Sequence, residues 1–109
     1  GKLVDEDPHL LSEYAEALAL ATGGSLRGRP SELLARALKL DPNFPDALVL
    51  AGTAAYERED FAAAAAHWER LLKLLPPDSE DAQSLAESIK KARAAAQKQT
   101  RKKPAAGKP

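Results

Sequence analysis

The sequence predicts an all-α fold in which antiparallel helix pairs stack into an α-solenoid, about two pairs followed by one capping helix. Three observations predict it. Apolar residues recur at i, i+3, i+4 and i+7, the stripe of an amphipathic helix. Alanine, the strongest helix former, supplies much of the 44% apolar content. Prolines 8, 42 and 76 stand 34 residues apart, and their surroundings keep the same phase. Leu3-Val4, Ala37-Leu38 and Leu71-Leu72 precede them at one offset; Tyr14, Leu48 and Ala82, then Ala17, Ala51 and Leu85, then Ala21, Ala55 and Ile89 follow in register. A 34-residue period built from two helices is the tetratricopeptide (TPR) signature, so the solenoid is TPR-like.

Residues 1–10 read as the end of a truncated upstream repeat, with Leu3 to Pro8 the last residues of an amputated helix. The opening Gly1-Lys2, without an initiator Met, marks a fragment of a longer chain, and the face so exposed on the first helix invites self-association. Residues 11–44 form a repeat with a Gly-rich loop. Its first helix runs from Leu11 to Ala21 with Tyr14, Ala17, Leu18 and Ala21 inward. Thr22 to Arg29 is then a turn richer in glycine than a TPR turn needs, expected to be the most mobile segment and a contact point. Pro30 opens the second helix, from about Ser31 to Leu40, with Leu33, Leu34, Ala37 and Leu38 inward.

Residues 45–77 are the most regular repeat. Pro45-Asp46 suits a first turn, and Leu48, Ala51, Gly52 and Ala55 share one stripe. Glu59-Asp60 makes the turn, Phe61, Ala64, Ala65, Trp68, Leu71, Leu72 and Leu75 line the partner helix, and Pro76-Pro77 stops it. A glycine inside a helix costs about 1 kcal/mol against alanine. Gly52 and Ala64 therefore mark a close crossing, with Phe61 and Trp68 filling the space around them. Residues 78–96 form the capping helix: Asp78, Ser79 and Glu80 signal its start, Ala82, Leu85, Ile89 and Ala92 its thin apolar stripe, and Glu87, Lys90, Lys91 and Arg93 its wet face. Residues 97–109 hold no large apolar side chain and read as a disordered basic tail.

Charge and composition narrow the function. The formal net charge is 0. Yet residues 90–109 carry eight bases and no acid, leaving −8 on the rest. The basic end lacks interleaved aromatics, so it reads first as a solvated tail, with a contact to acidic phospholipid, a nucleic acid or an acidic partner as the alternative. Cysteine is absent, which excludes a disulfide framework, a thiolate metal site and a cysteine nucleophile. No uncharged run approaches the roughly 20 residues of a spanning helix, and no signal peptide opens the chain.

Catalytic chemistry finds few candidates. His9 and His67 are the two histidines, and His67, beside Trp68, reads as a structural imidazole. Asp5, Asp7 and His9 cluster in sequence but read as a solvated, frayed end, short of the converging ligands a metal needs. Gly23-Gly24-Ser25-Leu26-Arg27-Gly28 follows a helix and lacks the Lys-Ser/Thr ending of a phosphate cradle. No enzyme, cofactor or metal site is expected.

A binding surface remains. In a helix-pair solenoid the first helix of each pair lines the concave face, where peptides dock. Helical geometry places Ser12, Ala15 and Ala19 there, then Asp46, Val49, Thr53, Tyr56 and Glu57, then Gln83, Glu87 and Lys90. These make a shallow trough, small and apolar in the middle with a polar rim. Ala15, Ala19, Val49 and Thr53 stand where a carboxylate clamp would need Lys and Asn, which argues against capture of a chaperone's acidic tail.

The run Leu11-Ser12-Glu13-Tyr14-Ala15-Glu16-Ala17-Leu18-Ala19, the loop Gly24-Ser25-Leu26-Arg27-Gly28-Arg29-Pro30, the helix Ala47 to Arg58, and His67-Trp68-Glu69-Arg70-Leu71-Leu72 before Leu75-Pro76-Pro77-Asp78-Ser79 go beyond a generic repeat. Over about residues 3–95 the chain resembles the periplasmic TPR domain of the c-type cytochrome biogenesis family CcmI/CycH. The resemblance implies a soluble part of an inner-membrane-anchored protein. It implies a holdase that captures the C-terminal segment of apocytochrome c and presents it to membrane-bound haem ligation proteins. A generic TPR scaffold in cell-envelope assembly is the alternative.

Overall fold

The computed structural model describes residues 7–102. Five helices follow in order: α1 (Pro8–Ala21), α2 (Arg29–Leu40), α3 (Pro45–Glu57), α4 (Phe61–Leu72) and α5 (Glu80–Lys102), with no strand among the described residues. α1 packs on α2 and α3 on α4; α3 also touches α1 and α2, and α5 lies along α4. This is the TPR-like helical repeat that the 34-residue period predicts.

Each helix starts where something satisfies or removes its orphan N–H groups. Asp7 accepts from the backbone N–H of His9 at 2.9 Å and of Leu10 at 3.4 Å, and Pro8 fills the first turn of α1. Asp7-Pro8 therefore begins a helix, whereas the 34-residue phasing predicts that one ends there; Leu3 to Glu6 lie outside the described residues. Pro30 and Pro45 sit in the first turns of α2 and α3, so α2 opens at Arg29, two residues earlier than expected. Asp60 accepts from Ala63 N–H at 3.2 Å and Ser79 Oγ from Ala82 N–H at 3.1 Å. Between α3 and α4, Glu59 takes the left-handed conformation (φ 64°), and Asp60 N–H closes the turn on the Ala55 carbonyl at 2.8 Å. Gly23 (φ 90°) does the same after α1, with Gly24 N–H on the Ala19 carbonyl.

The inward face of α1 differs from the expected one. Leu11, Ser12, Ala15 and Ala19 are buried with Leu18 packed beside them, while Ala17 and Ala21 are exposed and Tyr14 is 44% exposed. The proline phasing is the cause. Pro8 lies inside α1, whereas Pro42 and Pro76 lie in the connections before α3 and α5. The true counterpart of Pro8 is Pro45, 37 residues on, although Pro30 and Ala64, Leu34 and Trp68, and Ala37 and Leu71 keep the 34-residue spacing. α1 has slipped three residues out of the 34-residue phase that its partner keeps, and the seven-residue turn 22–28 absorbs the slip.

Two clusters make the core. One gathers Leu11, Ala15, Leu33, Leu34 and Ala37 with Ala47 and Ala54; the other gathers Ala55, Ala64, Ala65, Trp68 and Ala92. The second is almost all alanine around one indole. A Cβ on Gly52 would fall inside that indole, so the close crossing expected of Gly52 is there. Trp68 Nε1–H donates to the Val49 carbonyl at 3.4 Å, and Tyr56 stacks on the ring at 5.9 Å while meeting Phe61 edge-on at 4.8 Å.

α5 outruns its expected end at residue 96. Residues 97–102 are helical and not disordered, because the stripe of Ala82, Leu85, Ile89 and Ala92 continues through half-buried Ala96. Gln99 Nε2–H then donates to the Glu59 carbonyl at 2.7 Å. Arg93 grips Glu69 with both Nη2 (2.6 Å) and Nε (3.0 Å), and this bond holds the Glu69 carboxyl below its ordinary range. The remainder of the expected tail, residues 103–109, lies outside the described residues.

Candidate functional site

A groove of about 330 Å³ runs between α3 and α5. Pro45, Asp46 and Val49 form one wall, Asp81, Ser84, Leu85 and Ser88 the other, and Leu71 with Leu75 the floor. Val49 (43% exposed) offers its side chain to the groove while its carbonyl receives the Trp68 indole, so the buried tryptophan anchors this wall from behind. The floor is aliphatic; the rim carries two carboxylates and two hydroxyls. Such a surface can seat a few apolar side chains and satisfy polar groups beside them.

The structure distributes the eleven candidate residues unevenly. Asp46 and Val49 line the groove. Ser12, Ala15 and Ala19 do not: they lie in the core, Ser12 only 2% exposed with its Oγ lacking a hydrogen-bond partner. The slip of α1 turned them there. Thr53 is exposed, but its hydroxyl bonds back to the Val49 carbonyl at 3.0 Å. Tyr56, 39% exposed, belongs to the aromatic cluster around Trp68.

Gln83, Glu87 and Lys90 are exposed on α5 outside the groove. Carrying the α3 face forward by one repeat length points to them. A valley between neighbouring helices uses opposite flanks of the two, so α5 contributes Asp81, Ser84, Leu85 and Ser88 instead. Of these only Leu85, a member of the apolar stripe of α5, carries a signal in the sequence that points to this flank.

Glu57 has a structural task. Its Oε1 accepts from Leu26 N–H at 2.9 Å and from Ser25 Oγ at 3.3 Å, and its carbonyl accepts from Arg27 Nη2 at 2.8 Å. Leu26 is buried, and Ser31 Oγ donates to its carbonyl at 2.6 Å. The Gly-rich loop is thus tied to the end of α3 and not the loose segment expected. At the N-terminus Asp7 caps α1 and His9 Nε2 meets Glu13 at 3.1 Å; Asp5 lies outside the described residues.

The chain is 33% identical over 92 residues, 84% of its length, to the cytochrome c-type biogenesis protein CycH of Pseudomonas aeruginosa. Over most of its own length the chain is similar to this CycH protein. It spans about a quarter (23%) of that protein's length. No family model and no solved structure matches it. The resemblance carried by the Gly-Ser-Leu loop and the Trp-Glu-Arg-Leu-Leu run gains a physical sense in this CycH-like chain. Ser25 and Leu26 tether the loop through Glu57, while Trp68 anchors the Val49 wall of the groove and Leu71 lies in its floor.

Proposed function

We propose that the chain is a non-catalytic peptide-binding module acting in c-type cytochrome maturation. It holds the C-terminal segment of apocytochrome c in the periplasm, as the soluble part of a membrane-anchored protein, and hands it to membrane-bound haem ligation proteins. The observation that carries this reading is the groove between α3 and α5: an aliphatic floor with a polar rim, on a chain similar to a cytochrome c-type biogenesis protein. A segment that folds as it docks would lose affinity to ordering, which suits a chaperone that must release its client. The outer face of α1, with Leu10, Tyr14 and Leu20 exposed, would carry self-association. Calorimetric titration with C-terminal peptides of c-type cytochromes tests the proposal against scrambled peptides of equal composition. The native-order peptide binds and the scrambled one does not; equal binding of both would reduce the module to a generic scaffold.

A further inference from the structure

We infer that the groove selects a segment in which a lysine or arginine flanks an apolar anchor, and that Asp46 and Asp81 make the selection. The inference rests on the peptide-holding reading of the same groove. Asp46 stands in the first turn of α3 and Asp81 in the first turn of α5, so one carboxylate lines each wall. Neither has a hydrogen-bond or ion-pair partner among the described residues, and no base lines the groove.

First-turn acids stabilise helix starts, but that role does not account for Asp81. Ser79 already caps α5 through Ala82 N–H, and Glu80 already places a carboxylate in its first turn. The two carboxylates thus face each other as negative charge above an aliphatic floor of Leu71 and Leu75, with Val49 and Leu85 in the walls beside them. An apolar side chain seated on that floor displaces water, and a cation beside it meets both carboxylates where screening is reduced. The lining residues themselves carry two carboxylates and no cation, so the groove is locally negative. The occupant is a cationic amphipathic peptide segment.

Fluorescence anisotropy with three labelled synthetic helical peptides tests this. All share leucine anchors; the flanking positions are Lys, Gln or Glu. The wild-type chain binds the Lys peptide at least about tenfold more tightly than the Glu peptide, and the gap narrows as NaCl rises from about 50 to 300 mM. D46N/D81N, checked for native helicity by circular dichroism, removes the preference, and D46K/D81K reverses it. Persistence of the Lys preference in D46N/D81N would overturn the assignment to these residues. Equal binding of Lys and Glu peptides, with both abolished by Leu85→Arg, would overturn the charge selection and leave the groove standing. Binding of none of the three would overturn both readings.

Discussion

Gly52 and Trp68 show how one pair of residues sets a helix crossing. Ordinarily a helical glycine replaced by alanine gains about 1 kcal/mol. Here the added Cβ would enter the indole, and forced overpacking of this kind costs about 1–3 kcal/mol or more. Gly52→Ala should therefore lower the urea midpoint, against helix propensity; a raised midpoint would show that the indole has room to move. His67 sits half-buried at a small cavity with Ser31, Leu34, Ala51 and Arg58. Burial lowers its pKa below the ordinary 6.5, Arg58 and Arg70 add to the effect, and Asp60 opposes it. The folded state thus prefers neutral imidazole. Its stability contribution is complete above 6.5 and is lost as pH falls through that value toward the lowered folded pKa. Between about pH 7.5 and 5.5 the melting temperature should drop further in wild type than in His67→Gln; equal drops would remove His67 from the account. The Gly52–Trp68 contact is readable in the sequence because a glycine weakens the helix that holds it, and inside an apolar stripe it marks where a bulky side chain comes close. The Glu57 tether is not, since a hydrogen bond between residues 26 and 57 leaves no periodic trace.

At the scale of elements, legibility follows turn length. α3 and α4 are joined by three residues, and the faces read from the sequence, Leu48, Gly52 and Ala55 against Ala64, Ala65 and Trp68, are the buried ones. α1 and α2 are joined by seven, enough for the two helices to fall out of phase in sequence while both keep their own stripes. α1 is apolar on two sides, so its periodicity alone does not decide between Leu11–Ala15 and Tyr14–Ala17. Stability does. Leu11→Ala should cost about 2–5 kcal/mol, whereas Tyr14→Ala, at an exposed site, should stay within about 0.5 kcal/mol. The opposite order in chemical denaturation would restore the expected face. α5 reads too short in the sequence because its last turns bury alanine only and are held by Arg93 on Glu69 and Gln99 on the Glu59 carbonyl, partners more than 20 residues away along the chain.

For the whole molecule, the fold class follows from period, composition and stripe, because a stacked helix pair leaves the same imprint in every repeat. The groove follows only in part. Its place between consecutive first helices is a property of the array, and Asp46 and Val49 belong to it. Which flank of α5 completes it depends on how that helix rolls against α4, a rotation that composition does not encode. The charge split takes on a shape as well. The acids of the groove stand at the starts of α3 and α5, while Lys90, Lys91, Lys98 and Arg101 are exposed along the far half of α5. Amide chemical-shift mapping with a cytochrome C-terminal peptide tests the central assignment most directly. The account predicts perturbations that cluster at Val49, Leu71, Leu85 and Ser88. Shifts confined to α1 and the Gly-rich loop, with these four unmoved at saturation, would contradict it.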